Sequence, residues 1–259
     1  MKKILVLLIL ILTACSVADM QVEETFAYTD TYLEEEEEIV EIVIIPEEEA
    51  TVEEIFVEEE IIEEPAEPKE LPVIFTAEPL PPHIVEQISG VSFHENARIS
   101  FDDLSYLTIT HVDFDGKNRH GHLIVAAHIA EEVLEIFQEI FEGGFPIERM
   151  RLIDYYNASD YYSMADNNSV AFNFRYIAGT TTLSRHALGL AIDINPVQNP
   201  YIRNDTVWPE AGREYIDREN VRPGMIIPGD VVYTAFTSRG WTWGGNWHTP
   251  RDYHHFERR

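Results

Sequence analysis

Along this chain the spacing of hydrophobic and polar positions changes several times, and the changes predict its elements. Ile4 to Leu12 is an unbroken apolar run, and between residues 16 and 80 short apolar islands such as Ile42-Val43-Ile44-Ile45 and Ile55-Phe56-Val57 interrupt runs of glutamate. From about Ser92 the pattern is that of a folded domain. Between Leu123 and Phe141, Ile124, Ala127, His128, Val133, Leu134, Phe137, Ile140 and Phe141 recur at helical spacing before Gly143-Gly144, which predicts a helix with a glycine stop. Met150 to Tyr156 and Ala171 to Ile177 predict strands, the second alternating Phe172, Phe174 and Tyr176 against Asn173 and Arg175. Leu188 to Ile194 is apolar apart from Gly189 and Asp193 and ends at Asn195-Pro196, so it reads as a buried strand with a carboxylate in it. Val231 to Ser238 predicts a short helix ending at Gly240, and Trp241 to Trp243 and Tyr253 to Glu257 predict short strands. Strands and helices do not alternate regularly, so the expected class is α+β, a small antiparallel sheet flanked by helices.

The apolar run at the start changes the picture of the first 80 residues. Met1-Lys2-Lys3, the run itself and Leu12-Thr13-Ala14-Cys15 read as an export signal, too short to span a bilayer as a mature helix. Leu-Thr-Ala-Cys resembles a bacterial lipoprotein lipobox, whose cysteine becomes the lipid-modified first residue. Cys15 is the only cysteine, so lipidation accounts for a thiol with no partner; an ordinary secretory signal with an incidental cysteine is the alternative. The organisation expected is a signal peptide over 1–15, an acidic Pro/Glu-rich tether over 16–80 and a catalytic domain over 81–259.

Charge separates the tether from the domain. Residues 19–70 carry 22 acidic side chains against Lys69 alone, while residues 71–259 carry 25 acidic against 15 arginines and lysines. Dense like charge extends a chain, and fifty residues reach on the order of 170 Å when fully stretched. The apolar islands leave open a partner-binding surface instead of a disordered spacer. A net charge of −29 argues against nucleic acid as a partner, because a phosphate backbone requires a basic surface.

Candidate chemistry sits in two segments, Ser184-Arg-His186-Ala-Leu-Gly-Leu-Ala-Ile-Asp193 and Asp252-Tyr-His-His255-Phe-Glu257. A catalytic zinc needs three N, O or S ligands and an open position, and His186, Asp193 and His255 supply that set. Asp252 adds a carboxylate outside the ligand set for general-base work. For Asp193 alone the bland alternative is a structural carboxylate capping a turn through Asn195. His254 and His248 compete with His255, and if Tyr253 to Phe256 is a strand, His254 and His255 point to opposite faces. Trp241, Trp243 and Trp247 fit core and rim positions, with a sugar-stacking platform as the alternative.

Together the motifs Ser-x-His-x-x-Gly-x-Ala-x-Asp and Asp-x-x-His-Phe resemble the VanY-type D-alanyl-D-alanine carboxypeptidase and L-alanyl-D-glutamate endopeptidase group of zinc peptidases. The similarity runs from about Gly116 to Glu257. The resemblance implies a hedgehog- and lysostaphin-like fold and one catalytic Zn2+ on His186, Asp193 and His255, with Asp252 as base. It also implies that Arg175 holds a substrate carboxylate or the developing oxyanion; a surface arginine is the bland alternative. Ser184 is expected to bind substrate or orient His186, and Asn173 and Asp166 to line the cleft, an Asn- and Asp-rich turn being the equal alternative for Asp166. The carboxypeptidase branch usually carries Glu at the base position, so Asp252 lies closer to the endopeptidase branch. The function expected is hydrolysis of peptidoglycan stem peptides, foremost at D-alanyl-D-alanine, by a monomer held to the membrane through lipidated Cys15 and facing the cell wall. The alternatives are the L-alanyl-D-glutamate endopeptidase and a non-catalytic wall-binding domain. A sugar-linkage hydrolase would need a spaced pair of non-ligand carboxylates, which the sequence does not single out.

Overall fold

A computed structural model describes residues 71–259 of the protein. The expected lipidation site Cys15, the signal segment and the tether up to residue 70 lie outside the described residues. In chain order the elements are β1 (Phe75–Pro79), α1 (Pro82–Ile88), β2 (Leu104–Val112), β3 (Asn118–Ala126), α2 (Ala130–Glu142), β4 (Arg149–Met150), α3 (Asp160–Ala165) and β5 (Asn168–Ser169). They continue with β6 (Ala191–Asp193), β7 (Tyr201–Arg203), β8 (Thr206–Trp208), α4 (Val231–Thr237), β9 (Thr242–Trp243), β10 (Arg251–Asp252) and β11 (His255–Glu257). The class is mixed, compatible with α+β. Instead of one small antiparallel sheet there are three of three strands, ordered β1-β2-β3, β10-β7-β8 and β6-β11-β9, and a parallel β4-β5 pair.

The folded part begins earlier than the expected boundary at 81: β1, assigned from sequence to the tether, pairs along its length with β2 from Phe75↔Ile109 to Pro79↔Ser105. The β2–β3 hairpin turns at Asp113, whose carboxylate accepts from the Asp115 and Lys117 amides, with Gly116 at φ 75°. Helix α2 packs Val133, Ile136, Phe137 and Ile140, all buried, into a core shared with Leu107 and Ile109 of β2 and Phe236 of α4. Apolar burial of this kind stabilises by about 25 cal/mol per Å2.

Three expectations are corrected. The helix expected from Leu123 starts at Ala130, because Leu123 to Ala126 finish β3. Met150 to Tyr156 is no strand; β4 ends at Met150 and Ile153–Tyr156 is a 3-10 turn. Ala171 to Ile177 is an extended strap outside any named strand, its Phe172 and Phe174 amides donating to Ile124 O and Ser92 O on different elements. Helix α4 and strand β9 fall where the sequence places them.

Candidate metal centre

The centre is built where β6 meets β11. In their antiparallel register His255 stands directly opposite Asp193, and cross-strand partners share a face of the sheet. His186 arrives from a 3-10 turn, Arg185–Leu188, capped by Ser184, whose Oγ accepts from the His186 amide. Gly189 ends that turn at φ 66°, and a Cβ there would come within 2.5 Å of the Ala126 backbone nitrogen. Only glycine fits both the left-handed backbone and this close approach, and the Gly189 carbonyl accepts from Ala126 N. The loop is thereby pinned to the end of β3.

The three side chains converge. His186 Nε2 lies 3.2 Å from Asp193 Oδ2 and 3.2 Å from His255 Nδ1, and His255 Nδ1 lies 2.9 Å from Asp193 Oδ1. Bonds of about 2.0–2.1 Å to a tetrahedral zinc put ligand atoms roughly 3.3 Å apart, so these separations suit the ion. Among the described residues this is the group of acidic and imidazole side chains able to hold a metal ion. All three are buried.

The outer nitrogens fit the same purpose. His186 Nδ1 donates to the Ala171 carbonyl and His255 Nε2 faces Glu257 Oε2 at 3.4 Å. With a metal bound, each ring would keep its proton on the outer nitrogen and turn a lone pair inward, the arrangement that orients ligating histidines.

Residues 178–258 match the family described as D-alanyl-D-alanine carboxypeptidase. This C-terminal region is similar to that peptidase family. The matched span takes in His186, Asp193, Asp252 and His255 and begins after Arg175. No curated protein and no solved structure matches the chain. The family supports a peptidase of the D-alanyl-D-alanine carboxypeptidase kind.

Around the centre lies a cleft of about 680 Å3. Asp252 lines it, with Oδ1 2.9 Å from His254 Nε2. The other ring nitrogen of His254 donates to the Asn199 carbonyl at 2.8 Å. His254 therefore faces the centre without joining it, 3.9 Å from Asp193 Oδ2, and His248 is exposed outside the cleft. The parity argument fails because Tyr253 and His254 form a bend between β10 and β11.

Burial works to raise the Asp193 carboxyl, but the His186 and His254 charges and the hydrogen bonds from His186 and His255 hold it well below the usual carboxylate range. Burial also opposes charge on the two rings, yet Asp252 and Asp193 push His254 up to about 9, and Asp193 and Glu257 push His255 up to about 10. Asp193 does not serve as the turn cap its alternative required; the Asn195 amide donates to Ser169 Oγ instead.

Arg175 lines the cleft and pairs through Nε with Asp160. Asn173 does not line it, contrary to expectation: its side chain is buried and donates to Asp160 Oδ1 at 2.9 Å and to Ala158 O, so it braces the partner of Arg175. Asp166 is likewise elsewhere, bonded to Arg149 and Tyr156. Trp241 and Trp243 are core, and Trp247 is rim, its ring 5.4 Å from that of His255. Sequence reasoning missed Glu257, although it stands two residues after His255 and strand alternation puts both on one face. It also missed Asn199, for which a lone buried amide gives no signal.

Proposed function

We propose that the chain is a zinc-dependent peptidase of peptidoglycan stem peptides, with the terminal D-alanyl-D-alanine bond as its leading target. One observation carries this reading: the His186–Asp193–His255 triangle opens on a cleft in which Asp252 is a carboxylate outside the triangle. His186, Asp193 and His255 would hold a zinc ion, which when bound would supply Lewis acidity to the scissile carbonyl and to a water molecule. Asp252 takes the proton of the attacking water and passes it to the leaving amine. His254, anchored on the Asn199 carbonyl, keeps Asp252 turned into the cleft. Arg175 holds the terminal carboxylate or the developing oxyanion through its planar guanidinium, and Ser184 sets the turn that presents His186.

A second reading, L-alanyl-D-glutamate cleavage, is favoured by aspartate rather than glutamate at position 252. The mixed fold is in keeping with the hedgehog-like architecture implied by the motifs. From the sequence alone, the proposal extends to a monomer outside the cytoplasm, held to the membrane through lipidated Cys15 with the acidic segment as its reach into the wall.

The test is Asp252→Asn in the full chain. Its kcat on a stem pentapeptide falls by about 100- to 10,000-fold while zinc content stays at the wild-type level. Wild-type turnover in the variant refutes Asp252 as the base, and a wild-type protein that takes up no zinc favours a non-catalytic wall-binding domain.

A further inference from the structure

The β10-β7-β8 sheet presents more than the base to the cleft. Asp252 stands opposite Tyr201, and Tyr201 opposite Trp208; opposed residues share a face. Arg203 follows Tyr201 by two positions, so it lies on that same face, roughly 6.6 Å further along the strand. All four side chains line the cleft.

Arg203 differs from the other charges there. Asp160 is paired with Arg175, Asp252 with His254 and Glu257 with His255. Among the described residues no carboxylate lies within ion-pair distance of Arg203 or of Arg185, and both line the cleft. Residues 71–259 carry 25 acidic against 15 basic side chains, so unpaired arginines in the cleft run against the charge of the region. Arg203 is exposed, and its side chain lies beside the Tyr201 hydroxyl.

We propose that Arg203 forms a subsite for a second substrate carboxylate, carried by the residue that precedes the two flanking the scissile bond and distinct from the terminal carboxylate held by Arg175. The inference rests on the peptidase reading and narrows its substrate to acidic peptides. The spacing from Asp252 is about that of one or two residues of extended peptide, and a guanidinium binds a carboxylate through paired hydrogen bonds. Tyr201 and Trp208, their rings 5.8 Å apart, stand beside Arg203 on the same face of the sheet.

The experiment compares two stem-type peptides on the zinc-loaded full chain, identical except that the residue preceding the two that flank the scissile bond bears a free carboxylate or its carboxamide. Wild type is expected to favour the acid in kcat/KM by about 10- to 100-fold. Arg203→Gln brings the acid-to-amide ratio to about one, and Arg203→Lys retains part of the preference. Cleavage of both peptides with a ratio that Arg203→Gln leaves unchanged overturns the subsite while the peptidase stands. Cleavage of neither by wild type overturns both.

Discussion

Replacing Asn199 with alanine should loosen the fold and the metal centre together. The side chain is fully buried. Its Oδ1 accepts from Ile226 N at 2.7 Å and Arg218 Nη2 at 3.0 Å, and its Nδ2 donates to Gly224 O at 2.8 Å. Alanine leaves the Ile226 amide with no acceptor and the Gly224 carbonyl with only a 3.4 Å contact from Asn195. A buried polar group stripped of its partner costs about 1–3 kcal/mol. The amide accounts for most of that range and the carbonyl for its lower part, which together come to about 3 kcal/mol. Arg218 retains Ile226 O and Gln198 O, so its share is small. Against a total of about 5–15 kcal/mol the loss is large. Urea unfolding should show a lower midpoint at unchanged slope, and the melting temperature should fall by roughly 6–12 °C. Because the Asn199 carbonyl anchors His254, kcat should also fall in the folded variant. A loss below about 1 kcal/mol refutes the reasoning.

Glu257→Gln weakens the hold on His255 and should raise the zinc dissociation constant by about 10- to 100-fold, read by competition with a chromophoric chelator. Gly189→Ala forces a Cβ against Ala126 N and should give insoluble or unfolded protein, judged by circular dichroism. Zinc affinity should rise about tenfold per pH unit through neutrality. The proton on His255, whose pKa is pushed up to about 10, must leave before the ring can bind; calorimetry in buffers of different ionisation enthalpy counts that proton.

The sequence was most legible where one period ruled. Helix α4 and strand β9 are short amphipathic or aromatic segments with clear stops. The start of α2 was misread because Leu123, Ile124, Val125 and Ala126 are all buried. A strand covered on both faces is a continuous apolar run, and periodicity cannot tell that from a buried helix. The strap at Ala171 to Ile177 has a strand's alternation but gives its amides to separate elements, which no local pattern records. In the site, residue type and spacing singled out His186, Asp193 and Asp252 and left His255 in competition with His254 and His248; the structure brings His186, Asp193, His255 and Asp252 to one cleft. The choice between His254 and His255 was beyond parity, since it depends on a bend. Asn173 was misplaced because a polar residue in an apparent alternation reads as cleft-facing, whereas its amide is buried against Asp160. Glu257, Asn199 and Arg203 take their meaning from cross-strand register and long-range contacts.

Mass spectrometry of stem peptides incubated with the full chain, before and after removal of zinc by a chelator, tests the central claim most directly. The account predicts loss of a terminal D-alanine, abolished by the chelator, restored by one equivalent of zinc, and absent in His186→Ala. Intact peptides in the presence of a chain carrying one zinc, or cleavage that survives complete removal of the metal, would contradict it.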